Sequence, residues 1–155
     1  MTAGEKEIIK HLNNVLSNKL VAINQYFLHA RMMKHMGFMK LADHEYKESI
    51  QQMKYADKLV ERVLFIGGIP NLQELRKLNI GATVEEILKA DLATEKFTGD
   101  DIKLAINMCI SKSDYTSVDM LNDILGSSEE HVSFIRSQLN LVDTIGLSKY
   151  LQTQV

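Results

Sequence analysis

The chain has 155 residues, 45% of them hydrophobic and 25% charged, which is enough to bury a core without staples. Its 18 Lys and Arg against 20 Asp and Glu leave a net charge of −2, so there is no basic excess to neutralise nucleic-acid phosphates. A single cysteine, Cys109, excludes an internal disulfide framework and fits a reducing cytoplasm. No apolar run approaches the roughly 18 residues of a membrane span, and Met1 to Glu7 contains no apolar signal-peptide core. The expectation is one all-α domain over residues 1–155, cytoplasmic, with neither nucleic acid nor membrane as partner.

The first helical pattern runs from about Glu5 to Met36 and stops at Gly37. The second runs from about Lys40 to Ile66 and stops at Gly67-Gly68. Ile69-Pro70-Asn71-Leu72 then opens a connection of about fifteen residues, long for a compact domain. A capping box, Thr83-Val84-Glu85-Glu86, starts the third helix, which continues to about Ile110 with a weak spot at Thr98-Gly99. The fourth runs from about Ser113 to Gly146, and Leu147 to Gln154 reads as a short fifth helix. Short turns make helices one and two antiparallel, and likewise three and four. The long connection makes this a four-helix bundle with one long crossover.

Each helix carries a seam with alternating spacings of three and four residues. Helix one reads Ile8, Leu12, Val15, Lys19, Ala22, Tyr26. Helix three reads Val84, Leu88, Asp91, Glu95, Thr98, Ile102, Ala105. Helix four reads Val118, Leu121, Leu125, Ser128, Val132, Ile135, Leu139, with His131 beside it, and helix two passes through Gln52, Tyr55 and Leu59. Lys19, Gln52, Tyr55, Glu95, Ser128 and His131 therefore interrupt the seams at one level. Buried polar groups must be paired, so this level is either a site or a satisfied core network.

The segment Leu20-Val21-Ala22-Ile23-Asn24-Gln25-Tyr26-Phe27-Leu28-His29-Ala30-Arg31 resembles bacterioferritin. So do Glu48-Ser49-Ile50 with Met53, Pro70-Asn71-Leu72-Gln73 and Leu78-Asn79-Ile80-Gly81. The resemblance covers essentially the whole chain. It implies a ferritin-like bundle that builds a hollow 24-mer storing iron mineral, with b-type haem shared at two-fold interfaces and a small ferredoxin as electron donor. It also implies a di-iron ferroxidase centre made of a Glu on helix one, Glu-x-x-His on helix two, a Glu on helix three and Glu-x-x-His on helix four. Here those positions hold Lys19, Gln52 with Tyr55, Glu95, and Ser128 with His131. Glu95 and His131 alone match, leaving at most a residual, weak metal site.

Two ferrous ions bring four positive charges. One carboxylate remains to meet them, and an ammonium stands where a ligand should be. Glu129 and Glu130 lie about 100° and 200° around the helix from Ser128 and should point elsewhere. The expectation is therefore a subunit without its own ferroxidase centre that co-assembles with a ferroxidase-active subunit. The alternatives are a self-sufficient ferroxidase or a structural, haem-storing shell.

Met53 lies one residue past Gln52, turned about 100° toward the outer face of helix two. Spacing alone leaves one methionine among eight as packing. The resemblance makes it the axial haem ligand, with Leu20, Ile23, Asn24, Phe27, Tyr46 and Ile50 lining the pocket. The remaining histidines, His11, His29, His35 and His44, are assigned no metal.

Overall fold

The computed structural model describes residues 1–155 and contains five helices. They are α1 (Ala3–Met36), α2 (Met39–Ile66), α3 (Val84–Ser111), α4 (Tyr115–Ile145) and α5 (Leu147–Gln152). Thr2 caps α1 by accepting from Glu5 N, and Gly37 ends it in the left-handed region at φ 91°. Thr83 caps α3 through Glu86 N, as the capping box predicts. α4 begins at Tyr115, two residues later than the pattern suggested, because Ser113 takes φ 60° and Asp114 accepts from Ser117 N. Thr98-Gly99 does not interrupt α3: Thr98 Oγ1 donates to Glu95 O within the helix. No helix is long and apolar enough to cross a membrane.

α1 packs along α2, α3 along α4, and α1 against α3, whereas the backbones of α2 and α4 stand farther apart and meet through long side chains such as Arg62 on Ser117 and His44 on Phe134. The expected seam residues on α1 and α3 are all buried. On α4 the buried stripe is Leu121, Ile124, Ser128, His131 and Ile135. Leu125 and Val132, expected in the seam, are half-buried at a cleft between α3 and α4, with Leu125 also packed on the core. Burial thus falls on Ile124 and His131, next to the residues the spacing selected.

The apolar core comes in two pieces. One gathers Leu12, Leu16, Leu59, Ile102, Leu121 and Ile124; the other gathers Met33, Leu41, Ile87, Leu88, Ile135 and Tyr150. Along every long helix the stretch between them carries the buried polar residues.

Residues 67–83 form the crossover, which contains no helix or strand. It is held by a row of polar side chains on α1. Asn13 bonds Ile69 O and Asn71 N, Asn14 and Asn18 accept from Arg76, Gln25 Oε1 accepts from Asn79 N, and His29 Nε2 accepts from Gly81 N. A long loop at the surface of a bundle must find partners for its backbone groups, and these amides supply them. A Cβ at Gly81 would stand 2.4 Å from Ile87 N, so only glycine allows the loop to close onto α3.

α5 docks on its own bundle: Tyr150 is fully buried and its hydroxyl donates to Gln138 Oε1 at 2.7 Å. Tyr150→Ala should therefore destabilise the isolated subunit by about 3 kcal/mol, read from the urea midpoint, by emptying a filled site.

Candidate functional site

The six polar seam positions come together in the middle of the bundle, between the two apolar clusters. Lys19 is 2% exposed and Glu95 is 1% exposed. Lys19 Nζ donates to Gln52 Oε1 at 2.9 Å. Glu95 is bound by three groups: Tyr26 OH at 2.5 Å and His131 Nδ1 at 3.3 Å on Oε1, and Ser128 Oγ at 2.5 Å on Oε2.

Lys19 and Glu95, on facing seams, were expected to meet directly or through one water; no direct bond forms, although the Lys19 charge still acts on Glu95. The lysine stem reaches across to α2 and finds the Gln52 carbonyl first. Tyr55, expected to help complete the bonds around Glu95, turns toward α4, where its hydroxyl lies 3.5 Å from Asp123 O. Tyr26 takes that place. The seam spacing had placed Tyr26 correctly but gave no reason to single out its hydroxyl.

Glu95 finds charge compensation within the protein. Burial pushes the Glu95 carboxyl up, but the His131 bond, the Lys19 charge and the Ser128 bond outweigh it and hold Glu95 at about 2. Burial lowers the His131 imidazole, and the Glu95 bond and charge more than reverse this, so His131 titrates above its ordinary value. Burial also lowers Lys19, opposed by the charges of Glu95 and Glu48. An ionised Glu95 thus sits beside His131 and Lys19, the two basic groups whose charges favour it.

Two further residues border this centre. Glu48 Oε2 lies 3.9 Å from His131 Nδ1, and the His44 ring stacks on Phe134 with centroids 3.5 Å apart. His44 Nδ1, Glu48 Oε2 and His131 Nε2 are buried without a hydrogen-bond partner. His44, Glu48 and Gln52 follow each other at four-residue intervals on one face of α2. That spacing was available in the sequence and would have marked His44 and Glu48 as neighbours of the centre.

A pair of iron ions does not fit these residues. Both Glu95 oxygens are engaged by donors, Glu48 near His131 is the one other carboxylate at this level, and the Lys19 amine stands where a ligand would be needed. Glu129 and Glu130 are exposed and line the clefts on either side of α4 rather than the centre. Lys19→Met should cost roughly 2–3 kcal/mol, well above a surface Lys10→Met, because Gln52 Oε1 loses its donor and Glu95 a compensating charge. Paired denaturation curves check this.

The residues proposed for haem lie elsewhere, on the outer surface of α1 and α2. Met53 is 56% exposed; Phe27, Tyr46 and Ile50 are exposed beside it, Leu20 and Ile23 are half-buried, and Asn24 is exposed. Phe27 and Tyr46 pack with centroids 6.4 Å apart under the Arg31 guanidinium. Ser49 Oγ donates to Ile23 O at 2.9 Å and fixes α2 against α1 here. A soft, neutral thioether among apolar and aromatic side chains has the chemistry to ligate haem iron.

The whole chain can be compared with known proteins. A ferritin-like domain model matches residues 9–145. The bacterioferritin of Mycolicibacterium paratuberculosis is 40% identical over 147 residues, covering 95% of this chain and 92% of that protein. The bacterioferritin of Brucella melitensis is 40% identical over 149 residues, 96% of this chain and 92% of its own length. That of Streptomyces coelicolor is 38% identical over 152 residues, with coverages of 98% and 91%. Fold, crossover and sequence agree, and the chain belongs to the bacterioferritin family of ferritin-like iron-storage proteins.

Proposed function

We propose that this chain is a haem-binding, shell-forming bacterioferritin subunit that does not oxidise iron by itself and works beside a ferroxidase-active subunit in a mixed 24-mer. The observation that carries this reading is the Lys19–Gln52 bond in the middle of the bundle, together with a Glu95 whose oxygens are already satisfied by Tyr26, Ser128 and His131. The Lys19 and His131 side chains offset the Glu95 charge that iron would otherwise offset, so the bundle needs no metal to stay folded.

At the outer face, Met53 would hold a b-type haem, with Leu20, Ile23, Phe27, Tyr46 and Ile50 as apolar walls and Asn24 at the rim. Bound there, haem supplies a one-electron path between an outside donor, such as a small ferredoxin, and the stored ferric mineral. The chain would occupy residues 1–155 as one ferritin-like domain in the cytoplasm.

The test is a ferrous soak of the pure wild-type chain under dioxygen. No ordered iron between Glu95 and His131, and no oxidation faster than in buffer, is the expected result. Two irons a few ångströms apart at that level would overturn the reading in favour of a self-sufficient ferroxidase. Purification should also recover a second chain carrying Glu-x-x-His on α2 and α4, and a fully assembled shell of this chain alone in its native host would argue for a haem-storing shell instead.

A further inference from the structure

A second polar cluster sits toward the other end of the same layer, outside the degenerate centre. His29, Glu45 and Asp91, from α1, α2 and α3, are all buried and bring ligand-type atoms within 4.8 Å of one another. The hydrogen bonds around Asp91 are one-sided. Gln25 Nε2 at 2.9 Å and His29 Nδ1 at 2.8 Å both go to Oδ1. Asp91 Oδ2 and Glu45 Oε1 have no donor at all, although Asp91 is 0% and Glu45 3% exposed.

Two neighbouring buried carboxyls, each with an oxygen that lacks a donor, require something positive between them. A transition metal would need His29, and His29 is committed. Its Nε2 accepts from Gly81 N at 3.0 Å, so the ring proton must sit on Nδ1, where it donates to Asp91. Binding metal through Nδ1 would force a proton onto Nε2, against the Gly81 N–H. No lysine or arginine pairs with either carboxyl.

We infer that Glu45 and Asp91 share one proton between Glu45 Oε1 and Asp91 Oδ2, and that this proton locks the end of the crossover to the bundle. Asp91 orients Gln25 and His29, and these two side chains receive the Asn79 and Gly81 backbone amides. Asn79 Nδ2 also reaches Ala90 O, next to Asp91. The lock therefore runs from the shared proton through Asp91 to the residues that lead into α3.

The groups around the pair point the same way. Tyr26 and His29 face it from α1, Glu48 from its own helix and Glu95 from α3; His131 on α4 is the one basic group whose charge reaches Asp91, and its Nδ1 is bonded to Glu95 rather than to the pair. Burial, then the Asp91 charge and bond, raise the Glu45 carboxyl well above its ordinary value. A carboxyl raised in the folded state favours folding while it is protonated. Its contribution declines as pH rises from the ordinary carboxylate range to the pair's own midpoint.

The experiment compares the full chain with Glu45→Gln, whose amide donates permanently to Asp91. Across that pH range the unfolding constant of the wild type should rise about tenfold per pH unit relative to that of Glu45→Gln. In the wild type, the exchange-protected amides of Asn79 and Gly81, corrected for intrinsic rates, should open over the same range, before the amide of Leu12. A ratio independent of pH overturns the proposal, and so does one equivalent of tightly held metal that is present in wild type and absent from Glu45→Gln. Should Glu45→Gln fail to fold, infrared spectroscopy of the wild type decides. A protonated-carboxyl stretch at neutral pH that vanishes in alkali supports the shared proton, and its absence at neutral pH refutes it.

Discussion

Replacing Lys19, Gln52, Tyr55 and Ser128 together by Glu, Glu, His and Glu is expected to turn a metal-indifferent subunit into a metal-dependent one. With Glu95 and His131 the variant would present four carboxylates and two imidazoles at one level of the bundle. Without metal those carboxylates repel in a dry core, so the apo variant should be markedly less stable than wild type. A divalent ion reverses this. At a free concentration of 100 times its dissociation constant it contributes about 2.7 kcal/mol to the folded state. Thermal unfolding with and without cobalt or zinc reads the difference. The wild type should show no shift, because Lys19 and His131 already supply the positive charge. Ferrous oxidation under dioxygen should appear in the same variant. Single changes should fail: Ser128→Glu alone adds a carboxylate but leaves the Lys19 ammonium in place.

Met53→Leu should remove haem from the assembled protein while leaving the fold intact. The side chain is 56% exposed, so its loss should change subunit stability by less than about 0.5 kcal/mol. Leucine keeps the volume and the apolar surface but has no donor atom for iron. The haem-to-protein ratio should fall to background, and the absorption bands of bis-thioether ligation should vanish. Met53→His should restore haem with a shifted spectrum, since imidazole also ligates iron. Haem content and spectrum unchanged in Met53→Leu would remove Met53 from the site. Carrying out both variants in the isolated chain and in the mixed shell separates haem binding from assembly.

Helix number, order and the long crossover were legible in the sequence because the helical period repeats over many turns and because Gly37, Gly67 and Thr83 mark ends with specific backbone or capping needs. The polar level was legible for the same reason: Lys19, Gln52, Glu95 and Ser128 fall on the buried stripes by spacing. α4 was harder. Its backbone stands away from α2 and clefts open on both sides of it, so Leu125 and Val132 are only partly buried.

The sequence by itself placed Lys19, Gln52, Glu95, Ser128 and His131 at one level of the bundle. It did not determine who bonds to whom. Lys19 has a long flexible stem, and only the packed bundle decided that its ammonium ends on Gln52 while Tyr26, Ser128 and His131 surround Glu95. Nor did spacing reveal the neighbouring carboxyls of Glu45 and Asp91, which belong to different helices far apart in the chain. Periodicity fixes the face on which a side chain emerges. The partner is chosen by rotamers and by inter-helix distance, and these exist only once the helices have packed.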